Sequence, residues 1–209
     1  MPRAPGQLRA GLRYVRGRPD LVAALALVFF VSTFALTNLQ LALPVLARNV
    51  FELGAEAYGL LTTLLAVGSV LGAALAARRR GRPRLRLVAG SALALAILET
   101  ATGLMPTFAL TGAVLVPVGL AALTFTTAAN ATVQMSVEPS MRGRVMGLYM
   151  LLFLGGTPVG APLLGLLAER LGGRAPLVLG GCVTVVAVLV VGLVLARRNR
   201  RVSQDLPRK

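Results

Sequence analysis

The most constraining feature of this sequence is Leu21–Ala47, a run of 27 residues without a charged side chain. A helix needs about 20 apolar residues to cross the hydrocarbon core of a bilayer. The hydrophobic part of a secretory signal is only about 7–15 residues long. The run is therefore predicted to be a membrane-spanning helix and not a signal peptide.

Five further apolar runs follow, and each is long enough to cross a bilayer. Charged residues make up only 14% of the chain, whereas soluble domains carry roughly a quarter. The mean hydropathy is correspondingly high, at +0.78. The runs are Ala57–Ala77, Leu87–Leu104, Phe108–Val133, Val145–Ala168 and Pro176–Ala196. We therefore expect an all-α membrane protein with six transmembrane helices.

The basic residues lie between the apolar runs and predict an orientation in the membrane. If residues 1–20 are cytoplasmic, 19 of the 22 Lys and Arg residues fall in cytoplasmic segments and 3 in outer ones. The positive-inside rule then predicts a multi-pass protein of the cell (inner) membrane with both termini cytoplasmic. A net charge of +15 can also suggest nucleic acid. Membrane topology explains these cations better, so we expect no nucleic-acid partner.

The residue inventory excludes several kinds of chemistry. The chain has no His, so neither a Ser–His dyad nor a His-based metal site can form. Its one Cys, Cys182, lies in an apolar run and has no partner for a disulfide within the chain. We therefore expect no enzyme activity, no metal site and no cofactor.

Six spans allow two three-helix repeats of inverted topology, a common plan in secondary transporters. An offset of 91 residues aligns identical residues: Tyr58 with Tyr149, Arg79 with Arg170, Gly81 with Gly172 and Gly90 with Gly181. We therefore divide the chain into a cytoplasmic lead-in at 1–20, repeats at 21–104 and 105–196, and a basic cytoplasmic tail at 197–209. Leu8, Leu12 and Val15 favour an amphipathic helix in the lead-in; a frayed basic terminus is the alternative.

Three segments, at 11–21, 130–149 and 165–174, together resemble the C-terminal half of a major facilitator superfamily transporter. The segment N-A-T-V-Q-M-S-V-E-P-S-M-R-G-R-V-M-G-L-Y from Asn130 resembles the connection between the tenth and eleventh helices of bacterial siderophore and macrolide exporters. G-L-L-A-E-R-L-G-G-R at 165–174 is similar to the family's glycine-acid-arginine signature, and G-L-R-Y-V-R-G-R-P-D-L is similar to the segment before the seventh helix. A second copy of the signature, at 74–83, departs from it with Arg78 in place of the acid.

The resemblance implies half of a secondary active transporter that exports small amphipathic compounds by alternating access. It also implies proton coupling, as in an antiporter. Facilitator transporters have twelve helices, so a second six-helix half or a homodimer is an expected partner, besides the bilayer and a small-molecule substrate. The alternative function is that of a non-transporting membrane partner, or of a truncated half that needs a second chain.

The candidate substrate-cavity residues are polar side chains inside the spans. Thr33, Thr37 and Gln40 follow one face of the first span, where contact with lipid would leave their polar groups without partners. They are expected to line a cavity or, alternatively, to pack against another helix. Asn38 lies off this stripe and is assigned to packing.

Glu99 is the one acid well inside a predicted span, about 20 Å beyond Arg86 at 1.5 Å per residue. An acid in the membrane is a candidate for function, here for binding protons or a cationic cargo. The alternative is a carboxylate that reaches the outer interface.

The fourth span adds two cavity candidates, Thr126 and Asn130, to a stripe that continues to Gln134. Near its cytoplasmic end, Gln134 is expected to form an inner gate with Arg142, Gly143 and Arg144. The alternative is a capped helix end with solvated Arg side chains. The outer signature adds three motif candidates: Glu169, Arg170 and Gly172.

Two pairs of glycines at a spacing of four residues are candidates for close helix packing. They are Gly68 with Gly72 in the second span and Gly156 with Gly160 in the fifth. Small residues at this spacing let another helix approach closely, and they also give smooth interfaces for helices that move.

Overall fold

The computed structural model describes residues 7–79, 81 and 83–204, and all regular elements in this part of the chain are helical. Eight α-helices are joined by short connections and by two π-helical turns, π1 and π2. The elements are α1 (Gln7–Arg16), α2 (Pro19–Val31), π1 (Ser32–Leu36), α3 (Thr37–Val45), π2 (Leu46–Val50), α4 (Ala55–Arg78), α5 (Leu85–Leu104), α6 (Phe108–Ser136), α7 (Pro139–Leu171) and α8 (Ala175–Gln204).

The six predicted spans are confirmed as helices long and apolar enough to cross a membrane. The first span is continuous from Pro19 to Val50 and contains α2, π1, α3 and π2. The gap between the predicted third and fourth spans contains Pro106, and residues 105–107 connect α5 to α6. The Thr107 hydroxyl accepts a hydrogen bond from the Leu110 amide at 3.3 Å, which caps α6. The chain is therefore an all-α membrane protein.

The two ends of the described chain are more helical than apolar runs alone suggest. The lead-in contains α1, with Val15 buried and Leu12 exposed; the Leu8 side chain lies outside the described residues. At the other end α8 continues through Gln204, although residues from 197 onward were predicted to be a tail. Arg and Gln are good helix formers, so the polar sequence after Ala196 extends the helix without a break.

The helices pack in two groups around a shared interior. The second span, α4, lies along α6, which also packs against α5; the fifth span, α7, lies along the first span, which also packs against α8. The third and sixth spans, α5 and α8, pack directly against each other and join the groups. Within the apolar windows of these spans, 61% of the first is buried but only 17% of α4 and of α7. The first span is therefore the most enclosed, while α4 and α7 turn broad apolar faces outward.

The first span changes its helical phase twice. In π1 the amide of Thr37 donates to the carbonyl of Ser32, five residues back instead of four, and π2 closes in the same way from Phe51 to Leu46. Pro44, which lacks a backbone N–H, lies between the two turns. Each π turn holds one residue more than the α pitch accommodates, so faces predicted from α spacing do not continue across it.

Candidate functional site

A buried polar cluster joins the first, third and sixth spans. Glu99 in α5 is fully buried, and its Oε1 accepts a hydrogen bond of 2.6 Å from Asn38 Nδ2 in α3. The same amide nitrogen donates to the carbonyl oxygen of Pro176, in the first turn of α8, also at 2.6 Å. One side chain thus uses both of its N–H groups to connect three spans.

The cluster also contains acceptor atoms that are not satisfied. Glu99 Oε2 and Asn38 Oδ1 are buried and have no hydrogen-bond partner in the part of the chain that the structure describes. The ion pair found in the described residues, between Arg18 and Glu138, does not involve Glu99. A buried carboxyl without a cation is costly when it is ionised, so the cluster calls for a proton or a positively charged group.

Small residues in α8 let its backbone reach this cluster. A Cβ at Gly180 would lie 2.6 Å from Asn38 Nδ2, and a Cβ at Gly181 would lie 2.7 Å from the carbonyl oxygen of Ala96. Both distances are shorter than real Cβ contacts allow. Glycine is therefore required at both positions for α8 to lie against α3 and α5 as it does.

The predicted polar stripe of the first span is divided by π1. Thr33 and Thr37 are buried within the chain, but Gln40 is exposed, so the three side chains have different surroundings. Thr37 Oγ1 lies 2.7 Å from the Ser32 carbonyl oxygen and 3.2 Å from Thr157 Oγ1 of α7, while Thr33 Oγ1 has no hydrogen-bond partner among the described residues. Asn38, which the α spacing leaves off the stripe, is the side chain of this segment that reaches Glu99.

The glycines of α7 lie against π1. A Cβ at Gly156 would lie 2.6 Å from Thr33 Oγ1, and a Cβ at Gly160 would overlap the carbonyl oxygen of Thr33. Tyr149 lies on the same face of α7, buried, with its ring stacked on Phe153 at a centroid distance of 5.9 Å. The fifth span therefore packs its small residues on the segment where the first span leaves the α-helical pitch.

The glycines of α4 make the equivalent approach to α6. A Cβ at Gly68 would overlap the Val116 carbonyl oxygen, and a Cβ at Gly72 would lie 2.9 Å from that of Leu120. Gly119 of α6 lies equally close to the backbone of α4. All four candidate packing glycines thus lie at tight helix contacts.

The remaining candidates of the fourth span are placed near one end of the bundle. Thr126 is half-buried and donates to the Leu123 carbonyl of its own helix at 3.1 Å. Asn130 Oδ1 accepts from Gln134 Nε2 at 2.5 Å, and its side chain also interacts with the Tyr149 hydroxyl. Asn130 therefore connects α6 to the Tyr149 face of α7.

The predicted gate residues of the next connection do not join this group. Arg142, Gly143 and Arg144 are exposed, and no hydrogen bond or ion pair among the described residues links either Arg to Asn130 or Gln134. Arg144 Nη1 instead lies 3.3 Å from the Met141 sulfur. These contacts correspond to the alternative of solvated Arg side chains at a helix start.

A different polar group connects the two helix starts at this end. Arg18 Nη2 forms an ion pair with Glu138 Oε1 at 2.8 Å, and Arg18 Nη1 donates to the Ser136 carbonyl at 3.0 Å. The Tyr14 ring lies under the Arg18 guanidinium, with a distance of 4.7 Å from its central carbon to the ring centroid. The sequence analysis did not predict this group, because Arg18 and Glu138 are 120 residues apart and no local pattern connects them.

The residues of the glycine-acid-arginine signature lie where α7 ends. Glu169 and Arg170 are exposed, and Gly172 has a φ of 91°, a backbone conformation that glycine adopts without strain. The following Arg174 is half-buried and donates to the Met105 carbonyl at 2.5 Å, with its guanidinium 5.5 Å from the centroid of Phe51. Arg174 thus contacts two other connections at this end of the bundle.

Comparison with known proteins supports a transport function for this arrangement. The profile of a family described as transmembrane secretion effector matches residues 3–206, nearly the whole chain. No curated protein and no solved structure matches the chain. The six spans and the matched profile together identify a transporter-type protein embedded in a bilayer. The chain therefore belongs to the transmembrane secretion effector family and is a transporter half of the major facilitator type.

Proposed function

We propose that this chain is half of a secondary active transporter that exports small amphipathic compounds by alternating access, with protons as the coupling ion. The observation that carries this proposal is the Glu99–Asn38 contact. It places a carboxyl group at the junction of the first, third and sixth spans, with one oxygen available for a proton.

A change in the charge of Glu99 would act on three helices at once. When the carboxyl is protonated, Oε2 can carry the proton and Oε1 can continue to accept from Asn38. When it is ionised, the group needs water or a cation, and both require the surrounding helices to separate. Proton binding and release at Glu99 would therefore favour different arrangements of α3, α5 and α8.

The helix contacts are suited to such a rearrangement. The π turns and Pro44 give the first span points where its hydrogen-bond ladder is already irregular. Gly156 and Gly160 present a surface without side chains to π1. Thr33 and Thr37 would become accessible to cargo if α7 moved away from this segment, whereas Thr126 and Asn130 would line the same space from α6.

The packing also supports two inverted three-helix repeats at 21–104 and 105–196. Exchanging the first span with the fourth, the second with the fifth and the third with the sixth converts the main helix contacts into one another. Gly81 and Gly172, which the offset of 91 residues aligns, have φ values of 92° and 91°. Such repeats are the usual framework for alternating access in facilitator-type proteins.

A second six-helix half, in another chain or a second copy, is the partner that this function calls for. In α4 and α7 large apolar side chains are exposed, among them Val70 at 67% and Leu154 at 64%. Lipid or protein can cover such faces. The alternative function, a membrane partner that does not itself transport, also needs contact with a second protein chain. For either function we propose a location in the cell (inner) membrane, with both termini in the cytoplasm.

Efflux from proteoliposomes tests the proposal. Two preparations would be compared: the purified chain alone in proteoliposomes, and membrane vesicles from cells that produce it. In both, export of a cationic amphipathic dye would be followed under an imposed pH gradient. Glu99→Gln keeps an acceptor for Asn38 but cannot be ionised, so we expect dye export to lose its dependence on the gradient. Glu56→Gln, which changes an exposed acid of α4, is the matched control.

Unchanged gradient-driven export by Glu99→Gln would remove this residue from the mechanism. Native mass spectrometry of the membrane-extracted protein distinguishes the two forms of the function. Export activity confined to preparations that contain a second half, or a second copy, would assign transport to the assembly. A monomer that binds no cargo would leave only the role of a membrane partner.

A further inference from the structure

A wide cavity on the described surface lies away from the buried cluster, at the end of the bundle where α5 begins. Its volume is about 900 Å³, and it lies between the starts of α2 and α5 and the ends of α6 and α8. The lining residues that matter here are Asp20, Arg84, Leu85, Arg86, Ala89 and Leu195. We propose that this cavity binds the headgroup of an anionic phospholipid.

The charges of the lining favour an anion. Arg84 and Arg86 are exposed, and neither forms a hydrogen bond or ion pair with another described residue. Asp20 is the acid among the lining residues, so two cations face one carboxylate. Guanidinium groups bind phosphate through paired N–H donors, and cations near a membrane surface attract anionic lipids.

The shape of the cavity favours a lipid over a free ion. Its cations adjoin an apolar wall formed by Leu85, Ala89 and Leu195, on helices that continue into the membrane-spanning bundle. A phospholipid has the same arrangement, with a phosphate at one end of an apolar chain. The phosphate would bind Arg84 and Arg86 while the acyl chain follows the apolar wall towards the bilayer interior.

The balance of charge selects the class of lipid. A zwitterionic headgroup would place its ammonium near Asp20, so its binding would weaken if that carboxylate were removed. An anionic headgroup is repelled by Asp20 and would bind more tightly without it. Because Arg84 and Arg86 outnumber Asp20, we assign the site to an anionic lipid such as phosphatidylglycerol. Asp20 lowers the affinity for this lipid.

Lipid titration followed by native mass spectrometry tests this assignment on the full chain. The probes are phosphatidylglycerol, phosphatidylethanolamine and inorganic phosphate. For Arg84→Gln/Arg86→Gln we expect phosphatidylglycerol affinity to fall roughly 20- to 30-fold, given the usual contribution of an Arg near a membrane surface. Arg142→Gln/Arg144→Gln removes the same charge from a connection that does not line the cavity, and it should keep its affinity.

Asp20→Asn provides a second measurement that does not depend on the double variant being folded. It should bind phosphatidylglycerol several-fold more tightly, by removing one repulsive charge. Equal loss in the two Arg double variants would overturn the site in favour of general surface charge. Phosphatidylethanolamine bound as tightly as phosphatidylglycerol would overturn the anionic assignment. Inorganic phosphate bound as tightly as the lipid would show a free-anion site instead.

Discussion

Gly68 in α4 and Gly119 in α6 lie against each other's helix backbone. A Cβ at Gly68 would overlap the carbonyl oxygen of Val116, and a Cβ at Gly119 would overlap that of Leu65. A backbone carbonyl cannot move aside for an added Cβ, whereas the end of a flexible side chain can. The second and fourth spans are therefore held by direct backbone contact over one helical turn.

Gly68→Ala is expected to destabilise the protein by about 1–3 kcal/mol, the usual cost of overpacking a tight contact. Thermal unfolding of the detergent-solubilised protein measures the effect. Gly59→Ala is the control in the same helix, since a Cβ at Gly59 meets nothing within 4 Å. It should be neutral or stabilising by about 0.5–1 kcal/mol, because alanine favours the helix. Equal stability of the two variants would contradict the backbone contact.

Gly160→Ala is expected to impair export more than it lowers stability. The added methyl group pushes α7 away from the Thr33 carbonyl in π1, the segment that we propose to rearrange during transport. Gly165→Ala lies further along α7 in open space and should export normally. The two variants would be compared for dye export at matched protein levels in the membrane. A normal rate for Gly160→Ala would exclude this contact from the transport cycle.

Asn38→Leu is expected to be less stable than the double variant Asn38→Leu/Glu99→Leu. The single change leaves a buried carboxyl without its donor, which costs about 1–3 kcal/mol, while the double change removes both polar groups. The free energies of unfolding of the wild type, of both single variants and of the double variant form a double-mutant cycle, which measures the interaction between the two side chains. Additive effects would mean that the two side chains do not interact. The double variant should remain folded but show no gradient-driven export.

The proposed orientation predicts which connections react with a membrane-impermeant thiol reagent. In a background with Cys182→Ala, Gly54→Cys should be labelled in intact cells and Ser140→Cys only after the membrane is opened. Both positions are exposed; Gly54 directly precedes α4 and Ser140 lies in the first turn of α7, so the second to fourth spans separate them. The reverse pattern would place both termini outside.

The spans and turns could be predicted because they depend on local sequence. Hydropathy and length determine which segments cross a bilayer, and Pro106 lies in the gap between the predicted third and fourth spans, where α5 ends and α6 begins. Helix ends differ by a few residues, because polar residues such as Arg78 and Ser136 continue a helix beyond its apolar part. Hydropathy therefore predicts the part of a helix that lies in the membrane, whereas helix propensity determines where the helix ends.

The partners of the polar side chains could not be predicted, because they depend on which helices meet. Asn38 and Glu99 are 61 residues apart, and no local pattern indicates that α3 and α5 cross at these positions. The one signal was chemical: an amide inside a span has a high cost unless it is paired. Arg18 and Glu138, 120 residues apart, were missed for the same reason.

The π turn at Ser32–Leu36 also affects how this segment compares with its relatives. Removing one residue there would restore an unbroken α-helix and rotate everything from Thr37 onward by about 100° relative to the preceding helix. Asn38 would then leave Glu99, and a neighbouring position would take its place. A relative with a regular first span would therefore carry the equivalent amide one position out of register, and an alignment without a gap at π1 would pair the wrong residues.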